Sequence, residues 1–147
     1  MPEHFLSPLI LRLDLEAENP HRAVVLLAQA LATALALPGG IVTGFYTQRQ
    51  AGVGYGVALP HARLPGLSQP AAAFARLRAP LDFQAADGRT CDLMYLLLWP
   101  EGSEPLKALA RAARFFRDER VREALRSAPS ESALRAVFPA AAQANAA

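Results

Sequence analysis

The sequence has few of the residues that build metal sites, disulfides or cofactor pockets. It contains one cysteine and three histidines, which are too few and too scattered to supply the ligands of a metal site. The single cysteine, Cys91, lies in an apolar run, which predicts a buried thiol in a reducing compartment. No metal ion and no other cofactor is expected.

Charge is also sparse. Charged residues make up 19% of the 147 residues. The 15 lysines and arginines exceed the 13 aspartates and glutamates by only two, which gives a net charge of +2. They form no basic run interleaved with aromatic residues, so nucleic-acid binding is not predicted. No apolar run approaches the length of a membrane span, and the N-terminus does not resemble a signal peptide. We therefore expect a cytoplasmic protein without membrane insertion.

Hydrophobic residues, at 52%, are enough to form the core of one domain. Period-two and continuous apolar patterns predict strands at Leu9–Leu15, Val57–Leu59, Ala73–Leu77 and Cys91–Trp99, the last buried on both faces. Capping residues and helical spacing predict helices that begin at Asn19, Ile41, Ser103, Asp118 and Ser130. This mixture predicts a single-domain α/β sandwich over residues 1–139, followed by a low-complexity tail at 140–147.

A glycine-rich stretch precedes the most notable histidine. Gly52, Gly54 and Gly56 stand at alternate positions, and the following apolar residues end at Pro60 and His61. Closely spaced glycines predict tight turning or a close backbone approach. Pro60 fixes its own backbone and favours an extended conformation in the residue before it. His61 should therefore lie at a rigid corner after a strand, with a loop from Arg63 to Pro70 behind it.

His61 is the candidate for chemistry. A neutral imidazole is a usable nucleophile, the glycine amides could bind an incoming anion, and Arg63 could add positive charge. Ligands of α/β folds sit beyond the carboxyl ends of strands, which applies to this corner and to the loop from Pro100 to Ser103. From spacing alone the commoner alternative is a half-buried structural histidine with a solvated Arg63.

The same residues resemble the signature of the enzyme IIA family of the bacterial phosphotransferase system, within its fructose/mannitol class and nearest its nitrogen-regulatory type. The match runs from Gly52 through Pro60-His61 to Leu67 and includes Pro80-Leu81-Asp82-Phe83. The resemblance covers about Leu9 to Phe138. It implies a mixed central sheet flanked by helices, and a phosphoryl group accepted on His61 from the phosphocarrier HPr or a related carrier. In nitrogen-type members the phosphorylation state regulates partners such as potassium transporters and sensor kinases.

The chain departs from this family around the acceptor. Phe45, Ala51 and Pro105 stand where the family has an arginine, a threonine and a second histidine, and Ala62 replaces a glycine. Each lost donor would contribute about 1.5–3 kcal/mol toward a charged phosphoryl group, so transfer could slow by orders of magnitude.

Arg49, Arg63 and the glycine-stretch amides are the candidates to compensate for these lost donors. Two hypotheses stand: a phosphorylatable regulator with altered kinetics, and a degenerate binding module that regulates a partner without efficient phosphoryl transfer. The sequence leaves open which imidazole nitrogen would be the acceptor.

Overall fold

The fold is given by a computed structural model that describes residues 7–37, 52–102 and 106–139. In chain order the elements in these ranges are β1 (Ile10–Leu15), α1 (Pro20–Ala34), β2 (Gly52–Gly54), β3 (Val57–Ala58), β4 (His61–Leu64), β5 (Ala71–Leu81), β6 (Cys91–Pro100), α2 (Leu106–Arg117), α3 (Glu119–Ser127) and α4 (Glu131–Val137). The predicted helix at Ile41–Gln50 and the predicted tail lie outside the described residues.

The strands form one mixed sheet in the order β1-β5-β6-β3-β2, with β4 also paired to β6. β6 is the central strand: it runs antiparallel to β5 and parallel to both β3 and β4. β1 is parallel to β5, and β2 is antiparallel to β3. Apart from Asp92, every residue from Cys91 to Leu98 is buried, which confirms the predicted strand with two covered faces.

Helices cover both faces of the sheet, each over its own apolar cluster. The α1-side cluster packs α1 against alternate strand residues and includes Val24, Leu27, Leu31, Ala73, Met94, Leu96 and Leu98. The α2–α4-side cluster contains the opposite set and includes Leu59, Phe74, Tyr95, Leu97, Phe116, Leu125 and Leu134. These layers confirm the α/β sandwich with a mixed sheet. In the ranges described here, no helix is both long and apolar enough to cross a bilayer.

The helix starts follow the predicted capping residues. Asn19, Asp118 and Ser130 each accept, through a side-chain oxygen, a backbone N–H two or three residues further along, at 2.8, 2.9 and 3.1 Å. Each bond satisfies a donor that the first helical turn leaves unpaired. Three predicted starts are therefore confirmed. α2 begins at Leu106, and its predicted cap, Ser103, lies outside the described residues.

Two predictions near the carboxyl end of β6 were wrong. The loop predicted from Arg63 begins later, because β4 continues its ladder with β6 as far as Leu64, opposite Pro100. The helical spacing of the apolar residues after Ser103 also predicts that Leu106 and Ala110 face inward, but both are exposed, Leu106 by 66%. The stripe that packs on the sheet follows positions 108, 109, 112, 113, 115 and 116, which leaves Ala110 on the opposite side of the helix.

Candidate functional site

His61 lies at the start of β4, directly after Pro60. β3 and β4 keep one register on β6, with Val57 opposite Leu93 and His61 opposite Leu97. They are one extended segment interrupted at Pro60, which has no backbone N–H to continue the ladder. The Pro60 carbonyl still accepts the Leu97 N–H at 2.9 Å. His61 is thus held by hydrogen-bonded sheet rather than by a loose loop.

The His61 side chain lies on the sheet face that α2, α3 and α4 cover. Its neighbour Ala62 packs against the α1-side cluster, whereas Leu59 belongs to the α2–α4-side cluster. Because side chains alternate along a strand, His61 and Arg63 share the face of Leu59 and stand about 7 Å apart along the chain. His61 is half-buried and Arg63 is exposed. The structure therefore brings these two predicted site residues to one face and one end of the sheet.

A backbone carbonyl fixes the imidazole of His61. Its Nδ1 lies 3.0 Å from the Leu59 carbonyl oxygen. Since a carbonyl oxygen can only accept, Nδ1 carries the proton in this contact, and Nε2 of the neutral ring keeps the lone pair. The sequence left the acceptor nitrogen open. In the neutral ring, the contact with Leu59 leaves Nε2 as the nitrogen that carries the lone pair.

The glycine stretch forms the β2–β3 hairpin. Gly54, Tyr55 and Gly56 have φ angles of 100°, 62° and 81°, all in the left-handed region that favours glycine. The Gly56 carbonyl accepts the N–H groups of Asp92 and Leu93, at the start of β6. The turn therefore lies at the opposite end of the segment from His61.

The three predicted glycines consequently lie at different distances from the imidazole. Gly52 pairs with Ala58, three residues before His61, or about 10 Å of extended chain. Gly56 precedes His61 by five residues, or about 16 Å. The structure does not bring the Gly54 and Gly56 amides beside the imidazole.

Close packing accounts for two of these glycines. A Cβ added at Gly52 would lie 2.6 Å from the Ala85 Cβ, and one at Gly56 would lie 2.5 Å from Nη2 of Arg126. At Gly52 the obstruction includes the Ala85 backbone, whereas at Gly56 the Arg126 side chain would have to move to admit a larger residue. The fit of the hairpin against its neighbours therefore favours glycine at these two positions.

Four residues that no sequence motif indicated hold this hairpin, and we term them the hairpin clamp: Tyr55, Asp92, Arg122 and Arg126. Arg126 binds the Asp92 carboxylate through Nε and Nη2, at 2.8 and 2.9 Å, and Nη2 also donates to the Tyr55 carbonyl at 2.8 Å. The Arg122 guanidinium lies 4.6 Å from the centre of the Tyr55 ring. The partners are 34 to 71 residues apart, so no local pattern could have revealed them.

Arg49, Phe45, Ala51 and Pro105 lie outside the described residues. Ala62, in place of the expected glycine, has no positive φ and so carries its methyl group without strain.

Cys91 is fully buried, and this burial raises the pKa of its thiol to about 11. Within the ranges 7–37, 52–102 and 106–139, no three His, Cys, Asp or Glu residues are grouped to hold a metal ion.

Comparison with known proteins identifies the family. Residues 5–140 match the family model described as "Phosphoenolpyruvate-dependent sugar phosphotransferase system, EIIA 2". The nitrogen regulatory protein of Bradyrhizobium diazoefficiens is 48% identical over 88 residues, which are 58% of this chain and 58% of that protein. The match thus spans little more than half the length of that relative. The Escherichia coli nitrogen regulatory protein is 28% identical over 130 residues, 84% of this chain and 80% of that protein.

Solved structures agree with the sequence comparison. The nitrogen regulatory protein IIA-Ntr of Neisseria meningitidis superposes with a TM-score of 0.79 at 31% identity, covering 88% of this chain and 92% of that one. Enzyme IIA mannitol of Escherichia coli, at 14% identity and a TM-score of 0.73 over 88% and 95% of the two chains, shows the same fold. The family model covers the sheet and all the helices described above. The alignment with the Neisseria protein includes most of that protein and most of this chain. The chain therefore belongs to the EIIA 2 family of the phosphoenolpyruvate-dependent sugar phosphotransferase system, with nitrogen regulatory proteins among its relatives.

Proposed function

We propose that the protein is a phosphoryl-accepting regulator of the nitrogen type, in which Nε2 of His61 takes a phosphoryl group from an HPr-like phosphocarrier. The observation that carries this proposal is the 3.0 Å contact between Nδ1 of His61 and the Leu59 carbonyl. That contact keeps the lone pair on Nε2, as a nucleophile requires. Family membership supports the class of reaction.

The transfer step needs only the two histidine rings that the carrier and this protein supply. The Nε2 lone pair attacks the phosphorus of a phosphohistidine on the carrier. The new N–P bond forms while the carrier's N–P bond breaks, and the electron pair of the broken bond returns to the carrier's ring. His61 then holds a positively charged ring whose Nδ1–H still donates to Leu59. A hydrogen bond to a charged group contributes about 1.5–3 kcal/mol, so the carbonyl stabilises the phosphorylated ring.

Positive charge on the same strand would assist the step. Arg63 is two residues beyond His61 on the same face, and a guanidinium there opposes the charge on the phosphoryl oxygens. We assign Arg49 the same supporting role from the sequence. For Gly52, Gly54 and Gly56 we propose an indirect role: Gly54 allows the hairpin to turn, and Gly52 and Gly56 allow it to pack closely enough to hold the segment that carries His61.

The phosphorylated form would be recognised by a protein partner, such as a transporter or a sensor kinase, in the cytoplasm. Several relatives are nitrogen regulatory proteins. The Escherichia coli mannitol enzyme IIA, which shares this fold, has been solved in complex with phosphorylated enzyme IIB. A domain of this shape can therefore present its site to a phosphoprotein.

The test is phosphorylation by purified components. The protein is incubated with phosphoenolpyruvate, enzyme I and HPr, and its intact mass is measured before and after mild acid treatment. We expect one acid-labile phosphoryl group on the wild type and none on His61→Ala. His21→Ala is the matched control, because His21 is an exposed histidine on α1, away from the site, and should leave labelling unchanged.

The contrary result is equally clear. If the wild type acquires no adduct while another enzyme IIA is labelled in the same reaction, the carrier proposal is wrong. The domain would then be the binding module that keeps the fold without phosphoryl transfer.

A further inference from the structure

The indole of Trp99 carries a hydrogen-bond donor without an acceptor. Its Nε1 is buried and, in the part of the chain described here, has no hydrogen-bond partner. An indole nitrogen can only donate, and buried donors in folded proteins are nearly always paired. An orphaned donor of this kind can pair with an acceptor that reaches it in another state of the protein.

The position of Trp99 relates this donor to the acceptor histidine. On β6, Leu97 is opposite His61 and Trp99 is opposite Arg63. The Trp99 side chain packs against the α2–α4-side cluster, which lies on the face that His61 shares. Trp99 and His61 are thus diagonal neighbours on adjacent strands, with Cα atoms about 8 Å apart. A phosphohistidine and an indole together are long enough to meet across that separation.

We propose that Nε1–H of Trp99 donates a hydrogen bond to a phosphoryl oxygen carried on Nε2 of His61. The proposal rests on the function proposed above and adds a phosphoryl-binding residue to it. The donor gains its acceptor only when His61 is phosphorylated. It therefore favours that state selectively, rather than stabilising both states alike.

The Trp99 indole can be observed without overlap by NMR, because Trp99 is the single tryptophan in the sequence. The full-length protein labelled with ¹⁵N should give one indole N–H signal in an NMR correlation spectrum. We expect the indole proton signal to move downfield when phosphoenolpyruvate, enzyme I and HPr phosphorylate the wild type. His61→Ala in the same mixture is the control for effects of carrier docking, and its signal should stay in place.

A second measurement tests the energetic consequence. Trp99→Phe keeps an aromatic ring but removes the N–H. We expect its phosphohistidine to hydrolyse about ten to a hundred times faster than that of the wild type, the loss expected for one hydrogen bond to a charged group. The thermal midpoint of the unphosphorylated variant should fall only by the packing lost with the smaller ring, because the removed donor has no partner in that state.

The possible outcomes distinguish the role of Trp99 from the phosphocarrier function proposed for His61. An adduct on His61 with an unmoved indole signal overturns the role of Trp99 and leaves the phosphocarrier function standing. A signal that moves equally in His61→Ala also overturns it. No adduct on the wild type overturns both. An adduct with a shift confined to the wild type supports the inference, and the wild-type spectrum decides even if Trp99→Phe does not fold.

Discussion

Gly56→Ala tests how the glycine stretch holds the segment that carries His61. Gly56 has a φ of 81°, where an alanine is strained, and its new Cβ would lie 2.5 Å from Nη2 of Arg126 and 3.1 Å from Oδ1 of Asp92. The terminal nitrogen of an arginine could ordinarily swing aside. Here it is bound to the Asp92 carboxylate and to the Tyr55 carbonyl, so moving it breaks the hairpin clamp.

The cost can be worked from two contributions. Placing an alanine in the left-handed region costs about 1 kcal/mol. Arg126 and Asp92 are 26% and 28% exposed, so solvent screens their pairing and its loss costs about 1 kcal/mol more. We expect Gly56→Ala to lower the free energy of unfolding by about 2 kcal/mol. For a domain of this size, that corresponds to a fall of about 6 °C in the thermal midpoint.

Gly88→Ala is the matched control. Gly88 has a φ of 75°, close to that of Gly56, but a Cβ there would meet no atom within 4 Å. It should therefore show only the conformational cost, about half the loss of Gly56→Ala. Both variants are measured by thermal and urea unfolding followed by circular dichroism.

Equal losses in the two variants would refute the argument from the hairpin clamp. A double-mutant cycle with Arg126→Ala gives a second check. Once the arginine is truncated, Gly56→Ala should cost no more than Gly88→Ala, because the obstructing nitrogen is gone. A full additional loss in that background would show that the clamp is not the cause.

The other predictions concern a buried cation and a buried thiol. Nη1 of Arg76 donates to three carbonyls at the end of α3, at 2.7 to 3.2 Å. Arg76→Met should therefore lower the free energy of unfolding by about 2 kcal/mol in urea, and Arg78→Met, at an exposed surface pair, by less than about 0.5 kcal/mol. Similar losses would exclude the capping role. Burial raises the pKa of Cys91 to about 11 from an ordinary 9. The unfolded chain then loses this proton first, so stability present below pH 9 should decline as pH rises through about 11. Urea titrations at several pH values should show that decline, and Cys91→Ala should remove its thiol-dependent part; an unchanged decline would contradict the assignment.

The elements set by local patterns could be predicted from the sequence. Alternating leucines gave β1, the apolar run gave β6, and the caps at Asn19, Asp118 and Ser130 gave three helix starts. These succeed because each depends on residues within a few positions of one another. β4 was missed because its pairing depends on β6, whose register cannot be inferred from residues 61–64 alone.

The arginines are the clearest example of contacts that the sequence alone does not predict. The sequence holds fourteen arginines and one lysine, spread along the chain without a motif. Arg122 donates to the carbonyls of Phe116 and Arg117 at the end of α2, as Arg76 does for α3, and Arg135 donates to the Pro8 carbonyl beside β1. A guanidinium carries several donors in a fixed fork, so it can satisfy such carbonyls in a way that a lysine cannot. Only the folded chain shows which arginines do so.

Different contacts hold the two ends of the β3–β4 segment. The hairpin clamp holds the Gly56 end, whereas Leu59 orients His61 at the other, about 16 Å away. If the two ends act independently, Gly56→Ala should lower stability yet still accept a phosphoryl group on His61 at temperatures where it is folded. A variant that is folded but no longer labelled would mean that the hairpin sets the position of the imidazole. In that case the glycine signature would serve the chemistry directly rather than only the packing.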